Sequence, residues 1–103
     1  MVNYLYMSAY FIAQLKIRDR EAFKEYSEAL VPVFAKFDGK YLALDDAPEL
    51  LEGNWDYSRL VLIEFPDMQS LKKWYYSDEY QQVMKLRAAA SDADIIITER
   101  TTQ

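Results

Sequence analysis

The chain contains no cysteine and no histidine. Without thiols there are no disulfides, zinc–thiolate sites, iron–sulfur clusters or cysteine nucleophiles. Without imidazole there is no Ser-His-Asp triad, no His-ligated haem and no side chain that ordinarily titrates near neutral pH. Acid–base work falls to Asp, Glu, Lys or Tyr, and a metal would need oxygen ligands alone. Neither metal nor cofactor is expected. Positive charge is also short: 12 Lys and Arg stand against 17 Asp and Glu, a net charge of −5. A nucleic-acid partner needs a field of cations to displace phosphate counterions, so neither nucleic acid nor an anionic membrane surface is expected as a partner. No apolar run approaches the roughly 20 residues that span a bilayer. Met1-Val2-Asn3-Tyr4 has neither a basic region nor a long apolar one, so no signal peptide is read and a cytoplasmic location is expected. Glycine and proline number two and three, and no low-complexity segment occurs.

What is present is a dense apolar composition. Of 103 residues, 51% are hydrophobic and 16% aromatic, which excludes a disordered chain and fits one domain with one core. Nine tyrosines suit half-buried surfaces, cavity walls and interfaces, and also plain core packing.

Ala9 to Ile17 alternates as a strand, with Phe11, Ala13, Leu15 and Ile17 on an apolar face and Tyr10, Ile12, Gln14 and Lys16 on a mixed one. Asp19 has the character of an N-cap, with Glu21 in the first turn. Phe23, Tyr26, Leu30, Val33, Phe34 and Phe37 follow at helical spacing. Pro32 predicts a kink or a break there, and Gly39 a C-terminal stop. Lys40 to Leu44 reads as a second strand, Asp45 to Pro48 as a turn and Glu49 to Glu52 as a brief extended return. Arg59 to Phe65 is a strand with Val61, Ile63 and Phe65 on one face and Leu60, Leu62 and Glu64 on the other. Pro66-Asp67 stops it and caps a helix, which Ser77-Asp78-Glu79 breaks and restarts. Asp92-Ala93 turns the chain into a last strand, Asp94 to Arg100.

Strand–helix–strand, twice, predicts an α+β, ferredoxin-like βαββαβ sandwich: a four-stranded antiparallel sheet with both helices on one face. The whole chain, 1–103, reads as this one domain, with 1–6 as an N-terminal extension and 101–103 as a tail. The helix-free face would carry Tyr10, Ile12, Gln14, Leu60, Leu62, Ile96 and Thr98, which is too apolar to leave in water. At roughly 25 cal/mol per Å² of apolar area, covering it is worth many kcal/mol. A second copy about a two-fold axis is the simplest cover, giving a homodimer whose two sheets enclose a barrel.

Three stretches carry a family resemblance: Ala9-Tyr10-Phe11-Ile12-Ala13; Glu64-Phe65-Pro66-Asp67; and Trp74-Tyr75-Tyr76-Ser77-Asp78-Glu79-Tyr80-Gln81 followed by Arg87. From about Ser8 to Glu99 the chain resembles the bacterial family known as domain of unknown function 1330, within the dimeric α/β-barrel superfamily. It departs from the family pattern in two places. Asp38-Gly39 stands where a Gly-Gly pair is common, and Asp45-Asp46-Ala47 replaces a Gly-rich turn. Members tend to begin near Met7. The resemblance implies a dimeric barrel. Among superfamily relatives it implies kinship with cofactor-free monooxygenases and muconolactone-type isomerases, and with haem enzymes whose proximal His this chain lacks.

Glu64 is the first candidate catalytic residue: a carboxylate on the Leu60/Leu62 face, desolvated inside a barrel, would suit proton abstraction beside a carbonyl. It also lies near a strand end, where solvent or a partner's cation would hold it. Arg87 shares a helical stripe with Tyr80, Val83 and Met84 and would anchor an anionic ligand through its fork, or simply complement a helix C-terminus. Gln14 and Thr98, with Tyr10 and Tyr41 placed nearby, would orient a small apolar carbonyl or phenolic metabolite, or bridge two subunits. Trp55 and Trp74 read as core or interface anchors, and Asp45-Asp46 as a solvated turn. Two functions follow: a cofactor-free isomerase or monooxygenase-like enzyme with a cavity between the sheets, or a non-catalytic dimeric binding or scaffold protein.

Overall fold

A computed structural model describes residues 8–100, so the expected N-terminal extension 1–6 and tail 101–103 lie outside the described residues. Four strands, β1 (Ala9–Ile17), β2 (Lys40–Asp45), β3 (Arg59–Phe65) and β4 (Ser91–Glu99), form one antiparallel sheet in the order β2-β3-β1-β4. Three helices, α1 (Arg20–Phe34), α2 (Met68–Tyr75) and α3 (Asp78–Ala90), complete the ferredoxin-like α+β fold. They cover the face that buries Phe11, Ala13, Leu15, Ile63 and Phe65. No helix among the described residues is long and apolar enough to cross a membrane.

The caps behave as their chemistry dictates. Asp19 accepts from the Ala22 amide at 3.1 Å, Asp67 from Ser70 at 2.7 Å and Ser77 from Tyr80 at 3.0 Å, each satisfying one orphan N–H of a first turn. The Ser77 cap divides the second helical segment into α2 and α3 as its sequence demands.

Elsewhere the structure corrects the expectations. α1 runs as one element through Pro32, which occupies its last turn, where only the final amide bonds remain to be made. Gly39 is no left-handed stop, because Gly53 is the residue with positive φ among those described. A Cβ at Gly39 would lie 2.5 Å from Phe34 Cζ and 2.7 Å from Phe65 Cζ, so glycine is required there by close approach. Glu49–Glu52 forms no strand. No turn separates α3 from β4 either: the strand starts at Ser91, directly after Ala90. Arg18 makes this possible by donating to the carbonyls of Ala88, Ala89 and Ser91, while Ser91 Oγ donates to the Arg87 carbonyl. The helix end is capped by side chains where a glycine was absent.

Candidate functional site

The cross-strand register divides the candidate residues between two faces. Tyr10 stands opposite both Glu64 and Thr98, and Gln14 opposite both Leu60 and Asp94. These side chains share the helix-free face. The Tyr10 hydroxyl donates to Glu64 Oε2 at 3.3 Å, and Lys40 is paired with Glu64 from β2. Tyr41, by contrast, pairs with Ile63 and belongs to the helix-covered face, with its ring 5.0 Å from that of Phe34. The grouping of Tyr41 with Tyr10, Gln14 and Thr98 is therefore corrected. The face of Tyr41 is set by the register in which β2 docks on β3, which alternation within β2 alone does not report; a bulge between Tyr41 and Ala43 then shifts the rest of the strand.

Arg87 is also on the helix side. The sheet separates it from Glu64 and Gln14, so these three do not form one site. Arg87 forms no ion pair with Glu64 or Asp19. Asp45 and Asp46 make no metal site: Asp45 accepts from the Ala47 amide, and Asp46 takes a two-pronged bond from Arg59 at 2.5 and 3.0 Å. Among the described residues no cluster of metal-ligating side chains occurs.

The principal cavity, about 380 Å³, lies between α1 and the sheet. This is within the range of small-molecule sites. It exists because α1 lies closest along α3 rather than down on the strands, and because β1 offers only Ala13 between Phe11 and Leu15. Phe11, Phe23, Phe34 and Trp74 supply aromatic walls, and the exposed Val31, Tyr41 and Leu44 stand at its rim. Trp74 is fixed from several sides: edge-on to Phe11 at 5.1 Å, stacked on Phe65 at 5.3 Å and tilted against Tyr80 at 4.3 Å.

The polar groups of this cavity are hydroxyls, guanidiniums and an indole N–H, with no carboxylate among them. The buried hydroxyls of Tyr26 and Tyr80 bond each other at 3.0 Å. Burial, then the neighbouring Tyr80, raises the Tyr26 phenol well above its ordinary value, so it stays protonated. Arg87 is only 8% exposed and has no carboxylate partner among the described residues. Burial lowers its affinity for the proton, but the oxygens of Tyr80 and Tyr26 outweigh that, and its pKa is raised overall. Its Nε and the indole Nε1 of Trp74 are buried without hydrogen-bond partners. Arg59 lines the opposite end, 5.3 Å from the Phe23 ring centre and held by Asp46. No Asp, Glu or Lys lines the cavity.

Sequence reasoning singled out Arg87 because a permanent charge on an apolar stripe is unusual. It did not single out Tyr26, Tyr80, Arg59 or the unpartnered indole nitrogen of Trp74. Tyrosines at core-facing helical positions were the available signal, but their pairing across 54 residues of chain is a tertiary fact.

Fold and cavity define a ferredoxin-like α+β protein with an apolar, donor-lined chamber between helix and sheet. The family model described as a domain of unknown function, DUF1330, matches residues 8–101, and the chain belongs to that family. No curated protein matches the sequence. Among solved structures, a protein of unknown function from Rhodopseudomonas palustris is similar, with a TM-score of 0.78, 19% identity, and coverage of 95% of this chain and 85% of that one. A dimeric ferredoxin-like protein of unknown function from Thermobifida fusca gives 0.68 at 15% identity, covering 96% of each. SnoaB, a cofactor-independent oxygenase from Streptomyces nogalater, gives 0.67 at 14% identity, covering 93% of this chain and 96% of its own.

Proposed function

We propose that this protein is a cofactor-independent oxygenase of a small, largely apolar carbonyl or phenolic compound bound between α1 and the sheet. The observation that carries the reading is Arg87: a buried guanidinium with an unpartnered Nε in a cavity without a carboxylate. Such a group is costly unless a ligand supplies the countercharge. The fold-level likeness to SnoaB supports oxygenation in particular. Isomerisation would need a base to carry a proton between carbons, and the cavity wall offers no carboxylate, lysine or histidine for it. Oxygenation asks less of the protein, since an ionised phenol is itself the electron donor. A phenol with a free ring C–H loses four electrons to O2 and becomes a quinone. One oxygen atom enters the ring and the other leaves as water.

Oxygen uptake, product mass and melting temperature, measured in metal-free buffer with a panel of hydroxylated aromatics and 1,3-dicarbonyls, test the reading. At least one compound is expected to raise the melting temperature and consume oxygen with the parent, and to do neither with Arg87→Met. A compound that stabilises without oxygen uptake would favour the alternative, a non-catalytic binding protein, which the absence of a base in the cavity also suits. If none stabilises, the cavity is not a ligand site.

The chain is further proposed to pair through its helix-free sheet face, as the Thermobifida fusca protein's description as dimeric supports. Tyr10, Gln14, Glu64 and Thr98 then belong to the interface between two sheets, with the Tyr10–Glu64 bond as part of its polar complement.

A further inference from the structure

Two N–H groups of residues lining the cavity have no acceptor. Trp74 is 1% exposed and Arg87 8%, and each presents a buried N–H without a partner among the described residues. The Tyr26–Tyr80 pair, of which Tyr26 lines the cavity, holds two hydroxyl protons and uses one between them. Native interiors rarely leave such groups unsatisfied. We propose that the cavity accepts a conjugated aromatic phenol and holds it as the phenolate, with Arg87 as countercharge. This rests on the cavity being the ligand site, as argued above, and narrows what the ligand is.

Several observations select a phenol. Phe11, Phe23, Phe34 and Trp74 line the space with ring faces and edges, which suit a flat, fused aromatic body. A carboxylate brings two oxygens with about four lone-pair sites, more than the two open N–H groups satisfy. A phenolate brings one oxygen and spreads its charge into the ring, where apolar walls tolerate it. Of the two guanidiniums that line the cavity, Arg59 is balanced by Asp46 and Arg87 by no carboxylate, so an anion balances Arg87 and a neutral phenol does not. With no base in the wall, binding breaks the phenolic O–H bond and the proton goes to solvent. Nothing is oxidised or reduced in that step.

The test uses the full-length protein with three probes of one shape: 2-naphthol, 2-methoxynaphthalene and 2-naphthoate. The ionisation of 2-naphthol is followed by its absorbance, free and bound, across pH. Bound 2-naphthol is expected to ionise about 1–3 pH units below the free compound, as a group beside an opposite charge does. Its affinity should rise with pH up to the ionisation of free naphthol. The methyl ether should bind at least about tenfold more weakly at the upper end of that range, because each pH unit between the free and bound ionisations corresponds to about a factor of ten in affinity. Bound naphthol ionising at or above the pH of the free compound would overturn the proposal. So would equal binding of the ether, which would leave an apolar cavity standing without anion selectivity. Tighter binding of 2-naphthoate would reassign the ligand as a carboxylate. If no probe binds, the reading of the cavity as a ligand site fails as well. Arg87→Lys should keep part of this easier ionisation and Arg87→Met should abolish it. The absorbance titration is made on the parent, so a variant that misfolds leaves the result intact.

Discussion

Arg87 puts binding and stability in conflict at a single side chain. A buried charge without a paired carboxylate loses hydration and regains only hydroxyl oxygens, so an apolar residue of similar volume removes a cost. Arg87→Met is expected to raise the unfolding free energy by about 1–3 kcal/mol while abolishing ligand-induced stabilisation. Chemical denaturation with and without ligand measures both. A purely structural arginine would give the opposite result, a loss of stability with binding retained. Gly39 shows a different kind of single-residue demand. Gly39→Ala drives a methyl group into the rings of Phe34 and Phe65, which already pack against each other at 6.2 Å, and should cost about 1–3 kcal/mol by overpacking. A denaturation midpoint equal to that of the parent would sink this account. The two residues also differ in how visible they were. Arg87 announced itself by sitting on an apolar stripe. Gly39 was read as a helix stop because sequence shows a glycine but not the two rings that crowd it.

At the scale of elements, legibility follows the range of the interaction that defines each boundary. Helix starts at Asp19, Asp67 and Ser77 were readable because the cap and the amide it accepts lie three residues apart. The end of α3 was not, because its carbonyls are satisfied by Arg18, about 70 residues away. Arg18→Ala should therefore destabilise the fold by about 1 kcal/mol and fray α3 into its last turn, seen as faster amide exchange near Ala90. Equal exchange in variant and parent would count against the cap. The loop after β2 is tied in a comparable way, since Arg59 grips Asp46 and lies over Phe23. The hydrogen bond from Arg59 holds the Asp46 carboxyl below its ordinary range, despite a small opposing effect of burial. A depressed carboxylate pKa stabilises the fold above the unfolded value and loses that contribution as pH falls through the folded one. The stability difference between parent and Asp46→Asn should thus be present at neutral pH and vanish in acid. A difference independent of pH would assign Asp46 some other role.

For the whole molecule, the alternation of β1 and β3 made the two-faced sheet readable, yet the principal cavity of the chain lies on the other face from the one that alternation drew attention to. A carboxylate among apolar residues drew attention to the helix-free side, whereas the enclosed volume lies on the helix side, created by how α1 seats on α3. No pattern within α1 reports that distance. The helix-free face keeps its own consequence. Ile96 is 63% exposed, Ile12, Leu60 and Leu62 lie beside it in register, and Leu60 borders a hollow formed with Leu50, Leu51 and Trp55 of the preceding loop. Leu51 is 86% exposed there, so apolar surface extends from the sheet onto the loop, flanked by Glu49 and Glu52. Patches of that kind are seldom left in water, and a self-complementary pair of sheets would cover both the face and the loop at once. Sedimentation at micromolar concentration should give a dimer for the parent. Ile96→Lys puts a charge on the proposed interface of each copy and would desolvate it there, so it should yield a folded monomer with the cavity between α1 and the sheet intact and the response to ligand preserved. A monomeric parent would leave the apolar face without its proposed cover. A monomeric variant that loses ligand binding would show that the cavity depends on the partner, and would move the functional unit from one chain to two.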